Sequence, residues 1–127
     1  MGDLGFAVQQ HTEAEGYGVV RELVGHGLGA SMHEGPEIPN YGRRGRGKKF
    51  LEGMVIAIDP MINMGTHRII QEKDGWTIRT ADHAPSVHFE HNVALIHGQP
   101  KLLSTFDYIY EAMGIHSIEE NPFRFDS

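Results

Sequence analysis

The chain has 127 residues, enough for one globular domain but hardly two, and its 39% hydrophobic and 22% charged residues are ordinary for a soluble fold. A formal net charge of -6 argues against a general nucleic-acid binder, and the absence of cysteine excludes disulfides, thiolate metal sites and a cysteine nucleophile. Any metal site must therefore use histidine, aspartate and glutamate. No apolar run approaches about eighteen residues, so we expect no secretory leader, no membrane partner and a cytoplasmic location.

The first predicted element is a helix over residues 3–15, where apolar residues recur at helical spacing. We expect Asp3 to cap its N-terminus and Gly16 to end it. Residues 17–24 are rich in β-forming side chains and predict a strand.

Glycine alternates with other residues from Gly25 to Gly29, and His26 lies between two of these glycines. The missing side chains allow a ligand, a metal or another strand to approach this strand-like backbone closely. A neutral imidazole is the commonest protein metal ligand near neutral pH, so His26 and the nearby His33 are candidate site residues. The alternative interpretation is a turn with an incidental histidine.

Residues 34–53 contain repeated glycine and proline and predict a loop. Within it, residues 42–49 hold five of the eleven basic residues of the chain. They form either a solvated, mobile surface loop or a docking patch for RNA or another polyanion.

Residues 54–63 are apolar on both faces and predict a central, buried strand. Asp59 interrupts this run, and a buried carboxylate is costly unless it is paired, hydrogen-bonded or bound to a metal. Pro60 cannot donate to a strand ladder, so the strand should end or bulge there. An acid at a strand break is therefore a candidate site residue.

Residues 69–80 predict a hairpin, because Asp74-Gly75 lies between two β-forming runs. Trp76 follows the turn directly, and its pattern is compatible with either a core position or the wall of a pocket.

Residues 86–96 predict the last strand, and a period of two places His88, Glu90 and Asn92 on one of its faces. Beyond it, the four residues that begin at Ser104 are similar to a capping box and predict a helix that ends at Gly114.

Five motifs follow one another in the order and spacing of a known family. They are Gly25-His26-Gly27-Leu28-Gly29 with His33-Glu34-x-Pro36, Gly53-Met54, Ile58-Asp59-Pro60-Met61, Asp74-Gly75-Trp76-Thr77 and Phe89-Glu90-His91. From about residue 2 to residue 106 the chain resembles the C-terminal half of type I methionine aminopeptidases. The resemblance implies an α+β pita-bread half-domain, with a curved antiparallel sheet and helices on one face, over residues 1–114, followed by a tail over residues 115–127.

The resemblance also implies a hydrolase that removes N-terminal methionine from nascent polypeptides with two divalent metal ions, which would be Co, Mn, Fe or Zn. Its metal ligands carry over to His26, Asp59 and Glu90. Asp59 and His33 take catalytic roles, His33 being the residue that contacts the scissile amide. The substrate-binding residues carry over to His33, Trp76 and His88, the last standing where the family usually has glutamine.

The chain departs from the family pattern in two ways that leave its activity open. Two further aspartate ligands belong to the half of the family domain that precedes this region. Asp59 also replaces a glutamate, which shortens the side chain by roughly 1.5 Å. The chain is therefore either an aminopeptidase, as a natural short form or a fragment that holds two, one or no metals, or a non-catalytic binding module of the same fold. A mononuclear metal protein with another activity is a weaker alternative.

Expected partners are N-terminal methionine peptides, and either a second copy of the chain or the missing N-terminal half. A ribosome or RNA contact through residues 42–49 is a further expectation.

Overall fold

The computed structural model describes residues 1–115 as two helices and ten short strands. In chain order the elements are α1 (Gly2–Ala14), β1 (Gly18–Val19), β2 (Gly25–Leu28), β3 (Glu34–Ile38), β4 (Val55–Ile58), β5 (Met61–Asn63), β6 (Ile69–Gln71), β7 (Ile78–Thr80), β8 (Ser86–His88), β9 (His91–Ile96), β10 (Gln99–Leu102) and α2 (Asp107–Ala112). Within this part of the chain, neither helix has the length and apolar character needed to cross a bilayer. The tail predicted from residue 115 onwards lies almost wholly outside the described residues.

All strand pairs in the described residues are antiparallel, as predicted for the curved sheet of the family fold. The main sheet has five strands in the order β10-β9-β4-β2-β3, and a second sheet has the order β1-β5-β8. Strands β6 and β7 form a separate hairpin. Strand β4 therefore lies at the centre of the main sheet, which confirms the prediction of a central, buried strand.

A break at Asp59-Pro60 divides one predicted strand into β4 and β5, which belong to different sheets. The missing N–H of Pro60 explains this break, and the prediction of a strand end at this position is confirmed. The prediction of one continuous strand over residues 86–96 was wrong, because β8 and β9 are separated at Phe89-Glu90. This second break contains no proline. It arises because Phe89-Glu90 lies opposite the break at Asp59-Pro60 in the paired strands.

The prediction of a loop from residue 34 was wrong over its first five residues, which form β3. Proline is tolerated there because β3 lies at the edge of the sheet, where one row of backbone groups needs no partner strand. The predicted strand over residues 17–24 is reduced to the two residues of β1.

Both predicted helix caps were wrong in detail, whereas both predicted stops are confirmed. Met1 stands at the N-cap of α1, and the carboxylate of Asp3 instead accepts a hydrogen bond from the Gly45 N–H, at 3.0 Å. Ser104 accepts a hydrogen bond from the Asn92 N–H rather than capping α2. Gly16 and Gly114 have φ values of 82° and 70°, in the left-handed region that favours glycine after a helix.

The apolar core lies between α1 and one face of the main sheet. Its buried members are Met1, Ile38, Ile56 and Val93, and its half-buried members are Leu4, Phe50, Met54 and Ile58. Since these residues come from α1, β3, β4 and β9, the core fixes the strands that carry the candidate site.

We expect Ile56→Ala to lower the free energy of unfolding by about 2–5 kcal/mol, because it leaves a cavity beneath the central strand. Urea denaturation followed by circular dichroism measures the change. Ile70→Ala is the matched control: Ile70 is 38% exposed on the β6–β7 hairpin, so its replacement should cost about 1 kcal/mol or less. Equal losses in the two variants would contradict the assignment of the core.

Candidate active site

His26 lies in β2 between two strands that approach it very closely. It pairs with Ala57 of β4 on one side and with Glu37 of β3 on the other. A Cβ atom at Gly25 would overlap the Ala57 carbonyl oxygen, and one at Gly27 would overlap the Gly35 carbonyl oxygen. The alternating glycines are therefore required for packing, and they confirm the predicted close approach of another strand.

The imidazole of His26 is half-buried and is in contact with a second histidine. Its Nδ1 atom lies 3.0 Å from the Gly27 carbonyl oxygen, and the centre of its ring lies 4.3 Å from that of His33. In the tautomer that donates its Nδ1–H to Gly27, the Nε2 atom is left as a free lone-pair donor. The structure thus brings together the side chains of His26 and His33, which are seven positions apart in the sequence.

Asp59 is a buried acid at the break between β4 and β5, with 8% of its surface exposed. Its backbone carbonyl accepts a hydrogen bond from the Asn40 side-chain amide at 2.9 Å, which holds the break in position. Within residues 1–115, its carboxylate atom Oδ1 has no hydrogen-bond partner. A buried carboxylate oxygen without a donor is costly, so this atom needs a cation or a proton donor.

The imidazole of His88 is in contact with this oxygen. Its Nε2 atom lies 2.5 Å from Asp59 Oδ1, within ion-pair distance, although the pair does not meet the geometry of a hydrogen bond. The geometry supports a polar contact and leaves the hydrogen-bonding capacity of Oδ1 unfilled. The His88 side chain is more than half exposed, whereas that of Asp59 is largely buried.

The strand pairs on both sides of the break keep one register. Ile58 pairs with His91 and Met61 pairs with His88, and continuing this register across the break, whose residues belong to no strand, sets Asp59 opposite Glu90. Residues opposite one another in antiparallel strands share a face. His26 is opposite Ala57 of β4, two residues before Asp59, so the same alternation assigns the three predicted metal ligands to one face.

A shared face does not complete a metal site. Among residues 1–115, no three histidine, aspartate or glutamate side chains come together closely enough to hold a metal ion. Glu90 is exposed, whereas Asp59 is turned towards His88. The donors of this part of the chain therefore do not by themselves fit a resident metal, and the roles of His26, Asp59 and Glu90 as ligands remain a prediction.

Trp76 lies in the turn of the β6–β7 hairpin and is 89% exposed, so it is not a core residue. Its role beside a substrate pocket remains a prediction. Asp74 fixes the local backbone by accepting hydrogen bonds from the Thr77 hydroxyl at 2.6 Å and from the Trp76 N–H at 3.0 Å. These interactions, with that of the Thr77 hydroxyl the strongest, hold the pKa of Asp74 below its usual value.

Two polar residues near the site were not predicted to have a role. Asn40 is almost fully buried, and its position in a segment predicted as a loop gave no signal of its contact with Asp59. Ser104 reaches back to β9, where its hydroxyl lies 2.8 Å from His91 Nδ1. Only the return of the chain after β10 brings it there. Asn92, which was predicted to share one face with His88 and Glu90, pairs with Ala57, and its buried side-chain oxygen has no hydrogen-bond partner among residues 1–115.

An open apolar groove of about 700 Å³ lies behind the break, between α1, β5, β8 and α2. Among the residues that line it are Tyr17, Met64, Val87, Phe89, Ile109 and Met113, all of them exposed. Contiguous exposed apolar surface of this kind is typical of a face that another polypeptide covers.

The sequence of the chain is similar to a known protein family and to several named proteins. Residues 1–97 match the model of metallopeptidase family M24. The chain is 50% identical over 102 residues to the methionine aminopeptidase of Clostridium perfringens, a match that covers 80% of this chain and 41% of that protein. It is 45% identical over 104 residues to methionine aminopeptidase A of Synechocystis, which covers 82% of this chain and 41% of that protein.

Solved structures give the same result. The fold is similar to the crystal structure of methionine aminopeptidase from Rickettsia prowazekii, with a TM-score of 0.77 and 42% identity over 80% of this chain and 41% of that one. The crystal structure of the methionine aminopeptidase from Thermotoga maritima matches with a TM-score of 0.77 and 40% identity, over 80% of this chain and 41% of that one. The chain therefore spans about 41% of the length of these relatives.

We expect Thr77→Val to raise the pKa of Asp74 towards its ordinary value, because it removes the strongest hydrogen bond to that carboxylate. Carbon-detected NMR titration of the aspartate side chains measures the shift. A depressed pKa in the folded state stabilises the hairpin above the pKa of the unfolded chain, and the stabilisation is lost as the pH falls through the folded-state value.

Asp82 serves as the internal control in the same spectra. Its pKa is lowered chiefly by the Thr66 N–H and should not respond to Thr77→Val. An unchanged Asp74, or an equal shift at Asp82, would contradict the arrangement of the turn.

Proposed function

This chain belongs to metallopeptidase family M24, and from that membership we propose that it supplies one half of the active site of a methionine aminopeptidase. The membership confirms the resemblance inferred from the five motifs. Members of this branch of the family remove N-terminal methionine with divalent metal ions. The remaining donors of the site would come from polypeptide outside residues 1–127, since the chain spans about 41% of its relatives.

One observation carries the proposal, namely that the register of the strands around the break assigns His26, Asp59 and Glu90 to one face of the sheet. The buried Asp59 Oδ1 makes no hydrogen bond within residues 1–115 and is in contact with His88, which supports a functional role for this atom. We take the three residues as this chain's share of the metal ligands, with Co, Mn, Fe or Zn as the candidate ions. A metal ion, when bound in such a site, supplies a nucleophilic water at neutral pH.

The residues of this chain would then bind the peptide and move protons. His33, whose ring lies beside that of His26, would contact the scissile amide. Asp59 Oδ1 is the atom that would take a proton as general base. His88, at 2.5 Å from that oxygen, would bind the substrate at the same end of the site, and Trp76 would flank the methionine side chain after a movement of its hairpin.

A second function, a non-catalytic peptide-binding module of the same fold, is favoured by one specific observation. No three potential ligands assemble within the described part of the chain, and Asp59 is in contact with His88 instead. The two functions differ in what His26 does. In the aminopeptidase it binds a metal, whereas in the binding module it is a packing residue of β2.

The apolar groove indicates how the site would be completed. Its exposed lining on β8 and α2 is suited to the rest of the family domain, or to a second copy of this chain in a two-fold dimer. The substrate of the complete protein would be a peptide with an N-terminal methionine. Such peptides emerge from ribosomes, so the proposal implies the cytoplasm.

We expect His26→Ala to weaken Co²⁺ or Mn²⁺ binding by at least about tenfold, because it removes the only nitrogen donor among the three ligands. Isothermal titration calorimetry measures the affinity, and elemental analysis of the loaded protein should find no more than one ion per chain. His83→Asn is the matched control, since His83 is exposed and its φ of 61° is tolerated by asparagine. Equal metal affinity in wild type and His26→Ala would favour the non-catalytic module.

We expect the isolated chain to show no turnover of a Met-Ala-Ser peptide with added Co²⁺ or Mn²⁺, because part of the donor set is missing. Turnover should appear when the N-terminal remainder of the Clostridium perfringens enzyme is added, and His26→Ala should abolish it. Light scattering after size-exclusion chromatography shows whether that fragment, or a second copy of the chain, covers the groove.

The design separates the outcomes. Turnover by the chain alone that His26→Ala removes would contradict the half-site proposal if light scattering finds the active species to be a monomer, since one copy of residues 1–127 would then suffice. Turnover that survives in His26→Ala would identify a contaminating peptidase. Association with the fragment but no turnover would favour the non-catalytic module.

A further inference from the structure

The segment over residues 42–49, here called the basic loop, gathers positive charge in a chain that is otherwise strongly acidic. Its five cations are Arg43, Arg44, Arg46, Lys48 and Lys49, and all are exposed. The other six basic residues of the chain stand against seventeen acidic ones. The positive charge is therefore local and distinguishes this loop from the rest of the surface.

The cations of the basic loop are not used in ion pairs within the described part of the chain. The ion pairs found there join Arg21 to Glu13, Arg79 to Glu72 and His88 to Asp59. Arg44 instead lies over the ring of Phe6, with its guanidinium carbon 4.8 Å from the ring centre. Exposed guanidinium groups without a carboxylate partner are free to bind an external anion.

The backbone of the basic loop is held in one conformation by α1. The Gly2 N–H donates to the Arg46 carbonyl at 2.9 Å, and the Gly45 N–H donates to the Asp3 carboxylate at 3.0 Å. The Arg46 N–H closes a turn onto the Arg43 carbonyl at 3.2 Å. An ordered loop loses little conformational entropy on binding, so its cations are pre-positioned for a ligand.

A groove of about 570 Å³ runs between the basic loop and the edge strand β3. Its lining combines cations with one aromatic ring and one acid. The residues that matter here are Glu37, Tyr41, Arg43, Arg46 and Lys48. Tyr41 is 36% exposed, and the guanidinium carbon of Arg21 lies over its ring at 5.6 Å from the ring centre, so a base would stack on the ring beside this cation. A partly exposed aromatic ring beside cations is the combination that binds single-stranded nucleic acids, in which phosphates pair with the cations and bases stack on the ring.

We infer that this groove binds a single-stranded polynucleotide, with phosphates on Arg43, Arg46 and Lys48 and a base against Tyr41. Arginine predominates in the basic loop, and its planar fork matches phosphate oxygens better than lysine does. A concave site beside an edge strand suits a narrow strand, whereas the flat surface of an anionic membrane would reach only the rim. The inference does not depend on peptidase function, because none of these residues belongs to the candidate active site.

The test is fluorescence anisotropy with a labelled twelve-nucleotide oligouridine RNA, titrated with the full chain at several KCl concentrations. Contacts with about three phosphates predict that the logarithm of the affinity falls with the logarithm of the salt concentration with a slope of about -2. The triple variant Arg43→Gln, Arg46→Gln, Lys48→Gln should bind at least about tenfold more weakly and lose most of this slope. Tyr41→Leu should weaken binding several-fold and leave the slope unchanged.

The matched control removes the same charge elsewhere. Arg68, Lys73 and Lys101 are exposed and lie outside the basic loop, so their replacement by glutamine should leave RNA affinity within about twofold. A loss as large as that of the loop variant would overturn the inference, because net charge alone would then explain binding. Circular dichroism of each variant verifies that it is folded.

Further ligands identify the class of partner. The same sequence as DNA tests for the 2′-hydroxyl, and either result supports a polynucleotide site. A double-stranded RNA that binds more tightly than the single strand would overturn the assignment, as would equal binding to vesicles with 30% phosphatidylserine. No measurable RNA binding at low salt would overturn it as well.

Discussion

The structure depends on the pairing of β4 with β9 and its continuation into the pairing of β5 with β8. These two ladders keep one register although the strands break between them. The break turns the chain from one sheet to the other, and the constant register keeps Asp59 opposite Glu90 at the bend. A slip of one residue would move the entire set of site residues to the opposite face of the sheet. The candidate site therefore exists only as long as this register does.

The carboxylate of Asp59 is the electrostatic consequence of that arrangement. Asp59 is buried at the bend, and the amide of Asn40 supports its backbone without satisfying its Oδ1 atom. His88 approaches that oxygen from the exposed side of β8. A side chain one methylene longer would extend further from the bend. In this chain the carboxylate of Asp59 is in contact with the imidazole of His88.

The two open surfaces of the molecule differ in kind and lie on different elements. The apolar groove between β8 and α2 is suited to more polypeptide, which accords with a chain that spans about 41% of its relatives. The basic loop lies instead beside α1 and β3, where its cations lack carboxylate partners within the described residues. We propose that the first surface completes the domain and that the second contacts a partner. The peptidase site and the nucleic-acid groove can be tested separately for that reason.

Local chemistry alone was enough to predict several features. Pro60 lacks an N–H and had to end β4, Asp74-Gly75 had to turn the hairpin, and Gly16 and Gly114 were the residues best able to adopt the left-handed conformation after a helix. The five linked motifs identified the family for the same reason, since each motif is a local pattern.

The break at Phe89-Glu90 was not predictable, because it is imposed by the partner strand. The strand at Glu34–Ile38 exists only because an edge position tolerates proline, and Ser104 lies near His91 only because β10 folds back. The sequence likewise could not determine whether the three predicted ligands converge. Alternation along a strand sets the face on which each side chain lies, but burial and neighbouring side chains such as His88 decide where it points.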